Sequence, residues 1–486
     1  MKNLNKKLVS AFMMGAFIVL GLSNCKKKDE VLDLPPAPAP TPVLNTDTLY
    51  SVPGTATLQA IGGAAWDGTI EGVWNNAPAL NVTGTVPDLG NGTFTGYVGN
   101  STQIKLRSLY DASNIYFLFE FAADRPNVLS AQWYFNPTTH LWAQEATAAS
   151  LTNLNPDGSY RPPFSQDEIV MMFNISDATF NTLSCYAACH VMSSYGYSVT
   201  PSGGYMATNG PSERLDVWRM RTFQTMPMNQ VNDCFIDDGS SIGLGESGVL
   251  DKNMVHSDWQ VNNGPASSVP PSLQSPGVVV SAPTATSKVY AADGGFSNKQ
   301  TLKLSGGSNP ANAFPAANGG KVSVPIWVIE GAAGTNPYSS KQGAIFTSDT
   351  GATAVMVIGV DSTTGILHLK DGNTLDPRTS TSGTAYQQVG TGDGPNCIPG
   401  SIVSVYTGSR GDVTCNGFWT GSGWRFLFKR ALKTSDNVND VDFSSLGNQP
   451  FGVGVMFNGA DNEHAIVAGL TLHFGQRGSA RIKKTK

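Results

Sequence analysis

A chain of 486 residues with 31 lysines and arginines against 36 aspartates and glutamates carries a formal net charge of −5. So modest an acidic balance excludes a nucleic-acid surface as the main partner. Charged residues make up 14% of the chain while glycine reaches 53 and proline 29, a turn-rich, charge-poor composition that points to an all-β fold.

The opening stretch, MKNLNKKLVSAFMMGAFIVLGLSNC, sets Lys2, Lys6 and Lys7 ahead of an apolar run from Leu8 to Leu22 and ends at Cys25. That order is an export signal, and its terminal cysteine stands where a bacterial lipoprotein signal places the lipid-modified residue. Residues 1–24 are therefore expected to be a lipoprotein signal peptide and Cys25 the lipidated first residue of the mature chain. Asn24 departs from the small residue usual at that step, so an ordinary secretory signal or a single membrane anchor are the alternatives. Residues 25–43 run from lysines into LPPAPAPTPVL, a proline-rich spacer that forms extended structure and builds no core. No later stretch reaches the roughly 20 apolar residues that span a bilayer. The expected location is outside the cytoplasm, at the periplasm or cell surface, tethered to the lipid membrane through Cys25.

Residues 44–480 are expected to form one β-sandwich domain with long loop insertions. In QIKLRSLYDASNIYFLFEFAAD, Ile104 and Leu106, then Ile115, Phe117, Phe119 and Phe121, alternate with other residues around Asp-Ala-Ser-Asn, the pattern of a hairpin with one apolar face. EIVMMFNI, residues 168–175, reads as a buried strand. Residues 239–320 are rich in Ser, Gly, Pro, Ala and Asn with little periodicity, and a connection that long is expected to be a loop region or a surface insertion. GWRFLFKRAL, PFGVGVMF and LTLHF near the C-terminus repeat the period-two pattern and predict a meander. Two such strand groups can cover one another, which makes a sandwich whose halves come from distant parts of the chain. Arg410-Gly-Asp412 is read as turn chemistry.

Between the strand groups lies NTLSCYAACHVM, in which Cys185, Cys189 and His190 form a C-x-x-x-C-H element. It is one residue longer than the attachment motif of a covalent haem. Positions three and four apart on a helical segment return to nearly one face, so both thiols can project together. A disulfide or a metal site remain open alternatives, although zinc would need further ligands and Cys234 alone is near in sequence. Unpaired thiols oxidise outside the cytoplasm, so six cysteines must be placed. Cys25 goes to lipid. Cys397 and Cys415 flank a strand-turn-strand pattern and are expected to form a disulfide contributing about 3 kcal/mol. Cys185, Cys189 and Cys234 then remain, either as two thioethers and a thiol or with Cys234 bonded to one of the pair.

TIEGVWNNAPAL, the aromatic hairpin, MATNGPSERLDVWRMRT after the cysteine motif, WRFLFKRALKTSDNVNDVDF and NEHAIVAGLTLHF follow one another in an order that resembles the haem-binding domain family of the ethylbenzene dehydrogenase and dimethylsulfide dehydrogenase gamma subunits. The likeness spans most of residues 58–475, and within it the chain looks more like the extracytoplasmic cytochrome c branch. The resemblance implies a β-sandwich holding one haem at its edge. In the gamma subunits that haem is b-type with Met and Lys axial ligands; by motif order the Met corresponds to Met206, and the Lys falls where this chain has His464, a departure. A c-type haem, the preferred form, adds a short helical attachment segment with Cys185 and Cys189 as thioether anchors and His190 as proximal ligand, leaving Met206 or His464 as the sixth. His140, His256, His368 and His473 have no supporting context, and Trp218 is expected to pack the sandwich or a haem edge.

The function this implies is one-electron transfer between a redox enzyme or another cytochrome and its next partner, with no enzymatic role of its own. The rival is a haem-free carbohydrate- or ligand-binding sandwich lipoprotein, because Asp67-Gly68 and Glu71-Gly-Val-Trp74 also look like sandwiches whose aromatics stack on sugars. A hydrolase is disfavoured, since the chain carries no nucleophile elbow, H-E-x-x-H element or phosphate loop.

Overall fold

The structure is a computed structural model and describes residues 47–88, 96–124, 126–128, 133–136, 141–144, 166–188, 208, 210, 212–237, 255–257, 296–303, 321–329, 345–346, 354–361, 364–376, 398–457 and 464–475. All of them fall in one compact unit, Pro40–Lys486. Residues 1–43, expected to be a leader and a proline-rich spacer, lie outside the described residues. Among the described residues no helix is long and apolar enough to cross a membrane.

Twelve strands make the principal sheet: β1 (Thr48–Pro53), β2 (Leu80–Thr85), β3 (Ser101–Tyr110), β4 (Asn114–Ala122), β5 (Glu168–Asn174), β6 (Leu215–Arg221), β7 (Asn232–Ile236), β8 (Val255–Ser257), β9 (Thr414–Trp419), β10 (Gly423–Ala431), β11 (Gln449–Met456) and β12 (Ala465–Phe474). Their order is β8-β7-β6-β5-β11-β12-β1-β3-β4-β10-β9, with β2 sharing the slot of β1 between β3 and β12. β1 runs parallel to both its neighbours; the other pairings are antiparallel.

The sheet folds over on itself. Phe117 of β4 lies 6.1 Å from Phe173 of β5 and 5.8 Å from Trp218 of β6, although four strands separate β4 from β5 within the sheet. The two ends also meet: the Val231 amide donates to the Val413 carbonyl and the Cys415 amide to the Asn229 carbonyl, both at 3.0 Å. The result is the expected sandwich, closed along one side, with the alternate apolar residues of both halves in its core. The aromatic hairpin forms as read, with Tyr110 and Ile115 paired at its turn.

The C-terminal residues differ from the expected meander. β9 and β10 form one hairpin against β4, while β11 and β12 form another against β5 and β1. The connection between them, residues 432–448, enters the interior and meets a buried arginine. Within the stretch read as unpatterned, Phe296–Ser297 and Gln300–Lys303 pair with residues 401–402 and 321–324. Their apolar partners are supplied by distant strands, which is why local periodicity is weak there.

Arg430 of β10 is fully buried among acids. Its Nη1 donates to Asp216 Oδ2 at 2.5 Å and its Nη2 to the Val441 carbonyl; Asp233 stands 4.0 Å away. The guanidinium lies 4.9 Å from the Trp218 ring centroid and 5.1 Å from that of Phe443. Asp233, Asp412 and Asp440 bring carboxylate oxygens within 4.8 Å of one another beside it. Burial pushes the Asp216 and Asp412 carboxyls up to about 6. Burial would also lower the guanidinium, but the surrounding acids outweigh it and keep Arg430 protonated.

Candidate functional site

The attachment segment lies on the outer face of the sheet. Asp177 starts it: its Oδ1 accepts from the Thr179 amide at 2.7 Å and the Phe180 amide at 3.1 Å, leading into a helical turn, Phe180–Leu183, and a 3-10 segment, Ser184–Ala188. Ser184 joins the two at φ +51° and ψ −138°, a conformation that costs a side-chain-bearing residue about 1–3 kcal/mol and concentrates at functional sites. Ala187 and Ala188 are fully buried with Phe180 against Met172, Val217, Cys234 and Ile236. Their small side chains let the segment lie flat on β5, β6 and β7.

The twist at Ser184 delivers Cys185 to β11. On this strand Phe451, Val453 and Val455 enter the core, so Gly452 and Gly454 face outward with period two. A Cβ on Gly452 would stand 3.3 Å from the Cβ and Sγ of Cys185 and 3.1 Å from Ser184 Oγ. A Cβ on Gly454 would stand 3.1 Å from Cδ2 of His464, the residue just before β12. The glycines thus let a thiol and an imidazole settle on neighbouring positions of one strand face, about 7 Å apart.

Register extends this face sideways. Gly454 pairs with Val170, which pairs with Arg219; Met456 pairs with Glu168, which pairs with Arg221. Glu168 is buried and takes both guanidinia: Arg219 Nε donates to its Oε1, and Arg221 Nε to its Oε2 at 3.2 Å. Burial pushes the Glu168 carboxyl up, but the two arginines more than offset it and hold it below the usual glutamate value. Arg221 also donates to Gln224 Oε1 at 2.6 Å. The side chains of Arg219 and Arg221 are 29% and 22% exposed, so their heads form a partly open rim.

Of the residues singled out from sequence, Cys185 and His464 lie over neighbouring outward positions of β11, Gly452 and Gly454. Cys189, His190 and Met206 lie outside the described residues, as do Cys25 and Cys397. Cys415 is fully buried with a free thiol whose pKa burial pushes well up, so the bond expected to Cys397 is not formed in this structure. Cys234 lies under the attachment segment and donates weakly to the Asn232 carbonyl at 3.5 Å. Trp218 packs the sandwich interior as expected. His473 faces Asn448, its Nδ1 2.6 Å from Oδ1. Trp74, the aromatic on which a sugar-stacking reading leaned, is fully buried beneath Leu109, Tyr116 and Leu118 and offers no face to a ligand. Arg410 stacks 4.1 Å over Tyr406 and binds Asn232, so the Arg-Gly-Asp tripeptide is structural.

Sequence reasoning passed over Gly452, Gly454, Glu168, Arg219 and Arg221. The Gly-Val-Gly-Val alternation did carry a signal, since glycine inside a strand marks close approach. The pairing of Glu168 with the arginines depends on register and had none.

The haem that the resemblance implies fits these residues. The glycine positions admit a thiol and an imidazole, groups suited to haem attachment and iron ligation, at a strand face bordered by half-buried Val170 and then by the arginine rim. Fold and site together define an all-β sandwich domain with its candidate site on an outer sheet face. Residues 71–303 match the family model described as ethylbenzene dehydrogenase. The matched stretch includes β2 through β8, the cysteine motif, Glu168, Arg219 and Arg221, and it bears out the resemblance read from the sequence. No curated protein matches the chain. The matched family is a dehydrogenase family, a redox class. The expectation of no enzymatic role is corrected by the same finding: the family is one of enzymes.

Proposed function

We propose that the protein is the haem-bearing, electron-transferring component of an extracytoplasmic dehydrogenase, held at a bacterial membrane through Cys25. The observation that carries this reading is the placing of Cys185 and His464, residues far apart in sequence, over the alternate glycines Gly452 and Gly454 of β11. Cys185 and Cys189 would hold the porphyrin by thioethers, with His190 on one side of the iron and His464 or Met206 on the other. Bound haem supplies a one-electron couple, and protein ligation on both sides closes the iron to substrate. The chain's own part is to fix the imidazole, present half-buried Val170 to one edge of the porphyrin, and place the site on the outside of the sandwich, where a redox partner can approach. A c-type haem is preferred over b-type because of the two thiols.

The test is a denaturing gel stained for haem, using protein expressed with a cytochrome c maturation system beside the Cys185→Ala, Cys189→Ala double variant. A stained band lost in the variant supports covalent haem. Absence of stain together with absence of a Soret band in the native protein refutes the reading. A native Soret band without stain assigns a b-type haem and moves the weight to Met206 and His464.

A further inference from the structure

From a cleft at the far end of the sheet, we infer that the protein has a second binding site, one that takes a neutral saccharide. Among the described residues a cleft of about 790 Å³ opens between the end of β1, the β3–β4 turn and the connection after β10, lined in part by Pro53, Tyr110, Ser113, Lys433, Ser444 and Leu446. That volume lies within the roughly 300–1,000 Å³ usual for small-molecule sites. The Phe474 ring, at the end of β12, lies 5.2 Å from that of Tyr110, whereas His464 stands just before the first residue of the same strand. The cleft is therefore about 30 Å from the haem site at the usual rise per strand residue, and its chemistry is independent of haem.

The walls are fixed by their own backbone. The Gly54 amide donates to the Tyr110 carbonyl at 2.9 Å, the Leu432 amide to the Ser113 carbonyl at 2.7 Å and the Leu446 amide to the Phe443 carbonyl at 2.9 Å, so little ordering is left for a ligand to impose. Leu446 is 39% exposed and stands at φ +52°, a conformation that costs a side-chain-bearing residue about 1–3 kcal/mol and concentrates at ligand clamps. It sets an aliphatic surface at the rim. The charges of the cleft are already matched. Asp111 Oδ1 accepts from the Ser113 and Asn114 amides at 2.8 Å each, and its Oδ2 from the Tyr116 hydroxyl at 2.6 Å and that of Thr55 at 3.3 Å. Burial would push this carboxyl up, but those bonds hold it down to about 2, and an acid so engaged has little acceptor capacity for a cationic ligand. Lys433 lies 3.0 Å from Asp442, whose charge disfavours an anion beside it. What remains is hydroxyl chemistry. Tyr110 Oη and Ser113 Oγ make no hydrogen bond among the described residues. Ser444 Oγ donates to Asp442 and keeps its lone pairs, while the Lys433 ammonium has donors beyond the one given to Asp442. Groups that both donate and accept, beside the aliphatic faces of Pro53 and Leu446, match a ring with hydroxyls at its edge and C–H bonds on its faces.

The experiment titrates the protein with cellobiose, maltose, xylobiose and N,N′-diacetylchitobiose by ligand-observed NMR, with glucosamine and glucuronic acid as charged comparisons. Wild type is expected to bind at least one of the disaccharides and to bind both charged sugars less tightly by about tenfold or more. Lys433→Met removes the ammonium and Ala112→Trp fills the cleft from the exposed hairpin turn; each is expected to weaken binding about tenfold, the scale of one charge-assisted hydrogen bond, with the melting temperature unchanged. Leu446→Gly is expected to melt no lower than wild type, because glycine adopts the positive φ freely, and yet to bind more weakly. Affinity that rises from the disaccharide to its hexasaccharide assigns the site to a glycan chain, and equal affinity assigns it to a free sugar. No binding of any of the disaccharides, tighter binding of either charged sugar, or undiminished binding in all three variants overturns the saccharide site and leaves the haem reading untouched.

Discussion

Replacing Arg430 with methionine removes the guanidinium from the centre of Asp216, Asp233, Asp412 and Asp440. Methionine keeps much of the stem volume and can still touch Trp218 and Phe443, so the loss is chiefly electrostatic. Breaking a buried pair by deleting one partner costs about 3–5 kcal/mol, and loss of the two ring contacts adds about 0.5–1 kcal/mol each. The expected destabilisation at neutral pH is then about 4–7 kcal/mol, a large share of a typical total near 5–15 kcal/mol. The cost must depend on pH. With Arg430 in place burial already holds Asp216 and Asp412 up to about 6; without it they rise further, so the folded variant takes up protons that the unfolded chain does not. Its stability therefore recovers as pH falls from about 7 toward 4.5. Urea unfolding followed by tryptophan fluorescence at pH 7.5 and 5.0 measures both effects. A loss below about 1 kcal/mol at pH 7.5, or an equal loss at the two values, refutes the account of a charge-balanced interior.

Asp412→Asn is expected to leave the protein as stable as wild type or more so at pH 7, because a carboxyl pushed up to about 6 is an acid the fold holds at a cost once ionised; the advantage should vanish near pH 4, as thermal melts across that range would reveal. Glu168 has the opposite sign. Its lowered value gives stability that is present above the usual glutamate range and lost as pH falls, so Glu168→Gln should cost about 1–3 kcal/mol at pH 7 and little in acid, by the same melts. Gly454→Val should leave the strand folded to within about 1 kcal/mol but force the His464 ring, 3.1 Å from the new Cβ, off its seat; an unchanged absorption spectrum of the haem-loaded protein would exclude His464 as a ligand. Cys415 should resist thiol reagents in the native protein and react only on unfolding, and rapid labelling under native conditions would contradict its burial.

Much of the sandwich was legible because its strands announce themselves locally. Ile104 through Phe121 alternate so regularly that hairpin and inward face follow from period alone. The fate of the last strands was not legible, because period two says which face is apolar and nothing about the neighbour. Phe426 and Phe428 look alike to Phe451 and Val453 in sequence, yet one pair flanks β4 and the other flanks β5. What separates them is the connection that carries Val441 to Arg430, a buried charge that hydrophobic patterning treats as surface. The same limit governs the site. Cys185 is conspicuous because cysteines beside a histidine are rare chemistry. Gly452 and Gly454 are conspicuous only once it is known what rests on them, and Arg219 and Arg221 read as the solvent side of a strand until register sets Glu168 between them.

The place of β1 and β12 at the middle of the sheet has a bearing on the order of assembly. β12, residues 465–474, lies against β1, residues 48–53, and between β1 and β5 there is no sheet until β11 and β12 arrive. A chain that emerges from its N-terminus therefore presents the cysteine segment well before the strand it is to rest on exists. Contacts of such long sequence separation form slowly, so Cys185 spends an interval exposed on an unfinished surface. Its thiol stays accessible until the last hairpin closes, when Gly452 and Gly454 come into place. The order of assembly is thus built into the topology, and β11 and β12 close the sheet over the cysteine segment last.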